Sequence, residues 1–132
     1  MALAISTSWN AYRFNHGGKL LFEISQLGFK AIELSFNLSS AMVGQIAQVG
    51  RKLDISIVSL HNYCPIPDGV SRELALPDHY SLSALDEQER ALALKFTKRS
   101  IDTANRLGAK AVVLHCGRVD ISDYTRQLIN LY

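Results

Sequence analysis

Short apolar segments alternate along the chain with longer segments in which apolar residues have helical spacing. The apolar segments predict β-strands near residues 3–9, 31–36, 55–61 and 111–116. The stretch from Leu20 to Leu27 has the spacing of an amphipathic helix and is followed by Gly28, a residue type that favours helix C-termini. Strands that alternate with helices predict right-handed crossovers and a parallel sheet.

Capping residues and apolar stripes predict the remaining helices. Ser39 or Ser40 can cap the second helix, and Asp86 followed by Glu89 predicts the start of the third. The stripe of the second helix consists of Val43, Ile46, Ala47, Gly50 and Leu53. One side of the third helix is expected to carry Leu94, Thr97, Ile101, Ala104 and Gly108. A fourth helix is expected from about Ser122.

A long irregular segment separates the third strand from the third helix. It spans residues 62–85 and contains all three prolines, so it is predicted to be a loop. Connections of this length inside a compact domain are uncommon and are often functional. We expect a single domain over residues 1–132, because the chain is long enough for one hydrophobic core and not for two.

One joint between a helix and a strand occurs twice. Residues 27–34 and 107–114 share the pattern L-G-x-K-A-[IV]-x-L, in which a helix ends, a glycine turns the chain and a strand begins. Repeated use of one βα unit favours a parallel barrel, but an open doubly wound sheet uses the same joint. The predicted fold class is α/β, a parallel (βα)4 half of a barrel with four strands and about four helices.

Alternation along each strand predicts which side chains face the barrel interior. The predicted inward sets are Glu33 and Ser35 in strand two, Ile55, Ile57, Ser59 and His61 in strand three, and Ala111, Val113 and His115 in strand four. Phe36 is expected on the outward face with Ile32 and Leu34. Because inward residues at the C-terminal rim carry the chemistry of such barrels, we expect Glu33, His61 and His115 to converge.

Two predicted strands end in the same Leu-His dipeptide, at His61 and His115. Neutral imidazole is a common ligand of zinc, iron, manganese and related ions, so the pair is a candidate metal site. Two imidazoles alone make an incomplete metal site. The carboxylate of Glu33 is one of several that could add a ligand, and none of them has a spacing that is diagnostic of a metal site. The structural alternative is that each histidine closes a strand by a hydrogen bond to a loop.

Three further residues lie near the predicted strand ends and are candidates for substrate binding. Trp9 can form an apolar wall for a sugar or ring, or can pack in the core. Asn62 directly follows His61. Arg118 lies just past the fourth strand and can hold a phosphate or an acid group, although a surface role explains it equally.

Composition narrows the function classes. Apolar residues make up 48% and charged residues 20% of the chain, which fits a globular domain. The net charge of +2 does not favour nucleic acid or a membrane surface as a partner, and no apolar run approaches a membrane span. Without a signal peptide or a disulfide framework, we expect a cytoplasmic protein in which Cys64 and Cys116 pack. No Rossmann or P-loop motif occurs.

Three segments resemble the xylose-isomerase-like TIM barrel superfamily. They are GFKAIEL at residues 28–34, SLH at residues 59–61 and ANRLGAKAVVLHCG at residues 104–117. The superfamily includes sugar phosphate isomerases and epimerases and the apurinic-site endonucleases. The resemblance covers nearly the whole chain and is more specific for the superfamily than for a substrate.

The resemblance implies a TIM barrel with a divalent metal at its C-terminal mouth, of which Zn, Mn, Mg and Co are candidates. In the endonuclease branch, histidines that end strands three and four are metal ligands, and His61 and His115 match those places. The isomerase branch abstracts a proton beside a carbonyl and takes most of its ligands from later strands. Glu33 matches a recurrent acidic position of strand two and is the candidate catalytic residue.

The chain departs from the superfamily in length, since a whole barrel takes about 250 residues and this sequence has 132. The leading hypothesis is the N-terminal half of a metal-dependent sugar or sugar-phosphate isomerase or epimerase, incomplete on its own. Its expected partners are a sugar or sugar phosphate and either a second copy of the chain or a missing C-terminal half. The alternatives are an apurinic-site endonuclease relative and a non-catalytic half-barrel that serves binding or assembly.

Overall fold

The computed structural model describes residues 3–117, 128, 129 and 131. Its four parallel strands are β1 (Ala4–Ser6), β2 (Ala31–Leu34), β3 (Ser56–His61) and β4 (Ala111–Val113), paired in that order. Its three helices are α1 (Gly17–Gln26), α2 (Ser40–Leu53) and α3 (Glu87–Leu107). The parallel α/β arrangement of a partial TIM barrel is therefore confirmed. The predicted fourth helix lies mostly outside the described residues.

The helix ends show why these boundaries form. The Ser39 hydroxyl accepts a hydrogen bond from the backbone N–H of Met42, which satisfies one free donor at the start of α2. The Asp86 carboxylate likewise accepts a hydrogen bond from the backbone N–H of Glu89 at the start of α3. The Glu89 side chain accepts from the backbone N–H of Ser81, and not from that of Asp86 as a capping box would require. The predicted capping residues are confirmed, and Glu89 also ties the long loop to α3.

The hydrophobic core lies between one face of the sheet and the helices. Its fully buried members include Leu20, Leu21, Ile24, Ile32, Leu34, Ile46 and Leu60. Burial of one such side chain contributes about 1.5–3 kcal/mol, which makes this helix-facing side of the sheet the main source of stability. No helix among the described residues is long and apolar enough to cross a membrane.

The buried side of α3 includes Thr97 and Ala104, as predicted, but not Leu94 or Ile101. Leu94 is 50% and Ile101 is 49% exposed. The side that faces the sheet carries mainly small and hydroxyl residues, namely Ala93, Phe96, Thr97, Ser100, Thr103 and Ala104. The hydroxyls are needed because α3 packs on loop backbone: Ser100 Oγ accepts from the N–H of Cys64.

The pairing of β2 with β3 contains an irregularity. Ile32 lies opposite Ile57 and Glu33 lies opposite Ser59, so Val58 is an extra residue without a partner. Ile57 therefore packs against the helix-side core, whereas Ser59 bonds to Glu33 on the other face. The prediction that Ile57 shares a face with Ser59 and His61 was wrong, since strict alternation does not hold across an extra residue.

The loop between β3 and α3 is tied down by two arginines. Arg72 donates to the backbone carbonyls of Ala11, Phe14 and Asn37, at distances of 2.6–3.0 Å. Arg99, on α3, donates to the carbonyls of the loop's proline-rich start and pairs with Asp68 at 2.8 Å. Since buried carbonyls need donors, these guanidinium groups hold the loop against the rest of the fold.

Candidate metal centre

His61 and His115 meet at the carboxyl ends of β3 and β4. His61 is the last residue of β3 and lies opposite Val113, two residues before His115. The two imidazole centroids are 5.1 Å apart. Parallel pairing brings the ends of neighbouring strands to one edge, and the structure places both rings on the same side of the sheet, as the sequence predicts. Their role as metal ligands stays a prediction.

The surroundings of His61 determine which ring nitrogen is available. Its Nδ1 lies 2.9 Å from the carbonyl oxygen of Asn62. A carbonyl oxygen only accepts, so Nδ1 carries the proton and the neutral ring has its lone pair on Nε2. Histidines that bind metals commonly donate their other N–H to a carbonyl in this way. The arrangement of His61 therefore fits a ligand that binds through Nε2.

Phe36 also positions His61, and the sequence does not identify it as part of the site. Its ring meets the His61 imidazole edge to face, with centroids 5.6 Å apart. Alternation assigns Phe36 to the outward face. This assignment is wrong because β2 ends at Leu34 and the alternation ends with it.

The donor set at this rim fits a divalent ion in part. Two imidazoles are suitable ligands for Zn²⁺, Mn²⁺ or Co²⁺ and are poor ligands for Mg²⁺, which prefers oxygen. Within the described ranges, no group of three or more His, Cys, Asp or Glu side chains is arranged to hold a metal. A catalytic zinc usually has three protein ligands, so the pair supplies part of a site.

Glu33 lies on the inner face of the sheet, in a row with serines from the neighbouring strands. Its Oε1 accepts from Ser6 Oγ at 3.2 Å and its Oε2 accepts from Ser59 Oγ at 2.9 Å. The pairing of Ser6 with Glu33 and of Glu33 with Ser59 produces this row directly. Two hydroxyl donors fix the carboxylate while each oxygen keeps a lone pair for a further contact.

The inner face carries small or polar residues where the strands pair. Its members along the strands are Ala4, Ala31, Ser56, Ser59 and Ala111, together with Ser6, Glu33 and His61, and the apolar exception is Val113 beside His61. The sequence predicts Ile55 and Ile57 on this face, and both belong to the helix-side core instead. The difference arises because the extra residue Val58 interrupts the alternation of β3. The two isoleucines therefore face the helices, while Ser59 and His61 face the other side of the sheet.

Trp9 lies in the short 3₁₀ helix that follows β1 and is 44% exposed. The guanidinium carbon of Arg13 lies 4.5 Å from the centre of its ring, and Arg13 also pairs with Glu23 at 2.9 Å. One face of the indole is therefore occupied by a cation that is itself neutralised. Trp9 is accessible at the strand ends, but no contact joins it to the histidine pair in the described part of the chain.

Asn62 is not brought to the mouth. Its side chain is fully buried and its Nδ2 donates to Thr97 Oγ1 at 3.0 Å, on the helix side. The substrate-binding assignment of this side chain is therefore corrected: it anchors the loop to α3, because a buried amide needs a partner there. Arg118, the other predicted substrate contact, lies outside the described residues.

Four parallel strands that pair in chain order and alternate with helices have the arrangement of a parallel α/β barrel. The family model described as "Xylose isomerase-like TIM barrel" matches residues 21–131, and the chain belongs to this family. A search of curated proteins gave no match. A search of solved structures gave none either.

Proposed function

We propose that this chain is one half of a metal-dependent sugar or sugar-phosphate isomerase or epimerase, with His61 and His115 as two ligands of a divalent metal. The observation that supports this most directly is the imidazole pair, with ring centres 5.1 Å apart. The hydrogen bond from His61 Nδ1 to the Asn62 carbonyl leaves the metal-binding nitrogen free to face the mouth.

Glu33 is the proposed acid–base group. A bound divalent ion would act as a Lewis acid for negative charge that develops on a substrate oxygen. Glu33 would take a proton from the carbon beside the substrate carbonyl and return it. Ser6 and Ser59 hold its two oxygens, so the carboxylate is oriented before a substrate arrives.

The small inner face supports a small, polar substrate. Ser59 and Ala111 have short side chains beside Glu33, and the Ser59 hydroxyl adds a polar group bonded to that carboxylate. Trp9, at the end of β1, offers the exposed part of its indole to an apolar sugar face. Both features suit a sugar better than a bulky apolar compound.

The charges at the mouth favour this proposal over a phosphodiesterase that cuts DNA. Such an enzyme needs cations free to contact phosphates along the duplex. Arg13 is paired with Glu23, and Arg72 donates to backbone carbonyls. Near the strand ends, the arginines of the described residues are thus already used within the fold.

We further propose that a second copy of the chain, or a separate second half, completes the barrel. β1 and β4 form the two edges of the sheet, and edge strands offer unpaired N–H and C=O groups to another strand. Size-exclusion chromatography with light scattering should show a dimer at micromolar concentration. A folded monomer at every concentration would remove the homodimer form of this proposal.

Metal titration by calorimetry tests the site itself. The protein should bind Zn²⁺, Mn²⁺ or Co²⁺ with micromolar or better affinity, and His61→Ala or His115→Ala should each weaken binding at least about tenfold, because each removes one ligand. The control is His16→Asn, which removes a histidine from the start of α1 while keeping a side chain able to cap the helix.

The two outcomes separate the enzyme from a binding module. Unchanged metal affinity in the double variant His61→Ala, His115→Ala would contradict the proposed centre. Lack of binding to any of the three ions at micromolar concentration would instead favour a half-barrel that serves assembly. Circular dichroism of each variant establishes that the fold is retained.

A further inference from the structure

An open cleft separates α2 from α3 on the outside of the sheet. α1 and α2 pack directly against each other, whereas a cavity of about 640 Å³ remains between α2 and α3. Pro65, at the start of the long loop, lines this cavity and is held there by Arg99, which donates to its carbonyl oxygen at 3.0 Å. The loop thus keeps the two helices apart, and the space is part of the folded architecture.

The two walls of the cleft have different chemistry. The middle of the α2 wall is made of small or apolar side chains, Val43, Gly44 and Ala47, and Arg51 lies at its end. A Cβ atom built on Gly44 would have no neighbour within 4 Å, so the helix surface is open at that point. The α3 wall is mainly polar and carries Asp102 and Arg106, with Leu107 at its end.

Two arginines face the same end of this cleft. Arg51 lies in the last turn of α2 and Arg106 in the last turn of α3, and both line the cavity. In the part of the chain that the structure describes, neither forms an ion pair, whereas Arg99 is neutralised by Asp68. A helix dipole favours a cation at each position, and both side chains are exposed, so their guanidinium groups are available to a ligand in the cleft.

We propose that this cleft binds a small organic phosphomonoester that carries an apolar ring. The phosphate would be held by Arg51 and Arg106, since guanidinium groups match phosphate oxygens in geometry and charge. The ring would lie against Gly44 and Ala47 on the α2 wall. The cavity volume falls within the range of about 300–1,000 Å³ that is usual for small-molecule sites.

Asp102 is the acidic residue that lines the cleft. Its substitution should change phosphate affinity in the direction opposite to substitution of the arginines. Its carboxylate opposes a bound phosphate, whereas the two arginines attract it. The cleft lies on the helix side, and its binding does not depend on His61 or His115. The proposal therefore stands or fails independently of the metal centre.

Calorimetric titration of the whole chain with phenyl phosphate tests the charge requirement. Saturable binding should weaken about tenfold in Arg51→Gln and in Arg106→Gln, because each removes charged donors. Asp102→Asn should tighten it about two- to fivefold. Lys52→Gln is the matched control: Lys52 is exposed beside Arg51 and does not line the cavity, so binding should stay unchanged. Loss of affinity in Lys52→Gln equal to that in Arg51→Gln would overturn the proposal.

A second variant tests the space rather than the charge. Gly44→Leu places a side chain in the open cleft, where the helix itself meets no clash, and should abolish binding while the melting temperature is maintained or raised. Inorganic phosphate alone and phenol alone should each bind at least about tenfold more weakly than phenyl phosphate. Absence of binding, binding unaffected by Gly44→Leu, or equal affinity for inorganic phosphate would each overturn the proposal.

Discussion

The ends of β3 and β4 share a Leu-His dipeptide but differ in their surroundings. Leu60 is fully buried and His61 is half-buried, with a carbonyl partner and an aromatic neighbour. Leu114 is 39% exposed and His115 is exposed. β3 lies between two strands and is followed by residues 62–67, which are all buried, whereas β4 is an edge strand and is followed by Cys116 and Gly117, which are exposed. Burial at a strand end is therefore decided by the strand's place in the sheet and by the packing of the next segment, and not by the dipeptide.

The largest expected difference between the two ends is in thiol reactivity. Cys64, three residues after His61, is fully buried, while Cys116, directly after His115, is exposed. Under native conditions Cys116 should react at once with a thiol reagent. Cys64 should react more slowly by a factor of at least about 10³, because its labelling requires opening of the fold. Stopped-flow labelling with a chromogenic disulfide measures both rates.

The variant Cys116→Ser isolates the slow reaction and serves as the control. Its remaining thiol should be labelled promptly in denaturant and slowly without it. Similar labelling rates for the two cysteines of the native protein would mean that the segment after β3 is no better packed than the segment after β4.

The next difference is in stability. Leu60→Ala should lower the free energy of unfolding by about 2–5 kcal/mol, because it leaves a cavity in the core. Leu114→Ala, at the same place in the other dipeptide, should cost less than about 1 kcal/mol, because its side chain is already partly in water. Urea denaturation followed by circular dichroism measures both, and equal losses would contradict the comparison.

The smallest difference is in pH dependence. Burial raises the pKa of Cys64, so the native thiol keeps its proton where the unfolded thiol loses it. The contribution of the protonated Cys64 thiol to the free energy of unfolding is complete below the pKa of the unfolded thiol, about 8.5. This contribution is lost as the pH rises, by at most about 1.4 kcal/mol per pH unit. Burial also raises the pKa of Tyr63, which adds a loss above about pH 10.

Urea denaturation at several values between about pH 8 and pH 10 measures this slope, and Cys64→Ala should reduce it. Cys116→Ser should leave it unchanged, since that thiol is exposed in the native state. A slope that is the same in the Cys64→Ala variant and in the wild type would show that Cys64 is not responsible.

The elements and the shared sheet edge of the two histidines could be predicted because they depend on local or repeated features, whereas the side to which His61 points depends on the extra residue Val58. Capping by Ser39 and Asp86 is decided within a few residues. Parallel strands bring their carboxyl ends together whatever their sequence, so His61 and His115 had to share an edge once the strands were identified.

Other features depend on distant contacts and could not be found in this way. The buried position of Asn62 results from its bond to Thr97, which lies 35 residues further along the chain. The exposure of Leu94 and Ile101 results from the need of the loop backbone for hydroxyl partners on the other side of α3. The cleft beside Gly44 depends on where the loop passes, and a glycine in a helix carries no sign of that.

Val58 has a consequence for the whole rim of the sheet. If β3 alternated without interruption, His61 would point the same way as Ile57, toward the helices, and the two imidazoles would be separated by the thickness of the sheet. The irregularity at Val58 shifts the phase by one residue and sends His61 to the side of Ser59. Deleting Val58 would keep that phase, whereas straightening the strand with all its residues in place would dismantle the pair. The proposed centre thus depends on the register of β3 against β2 as much as on the chemical type of its residues.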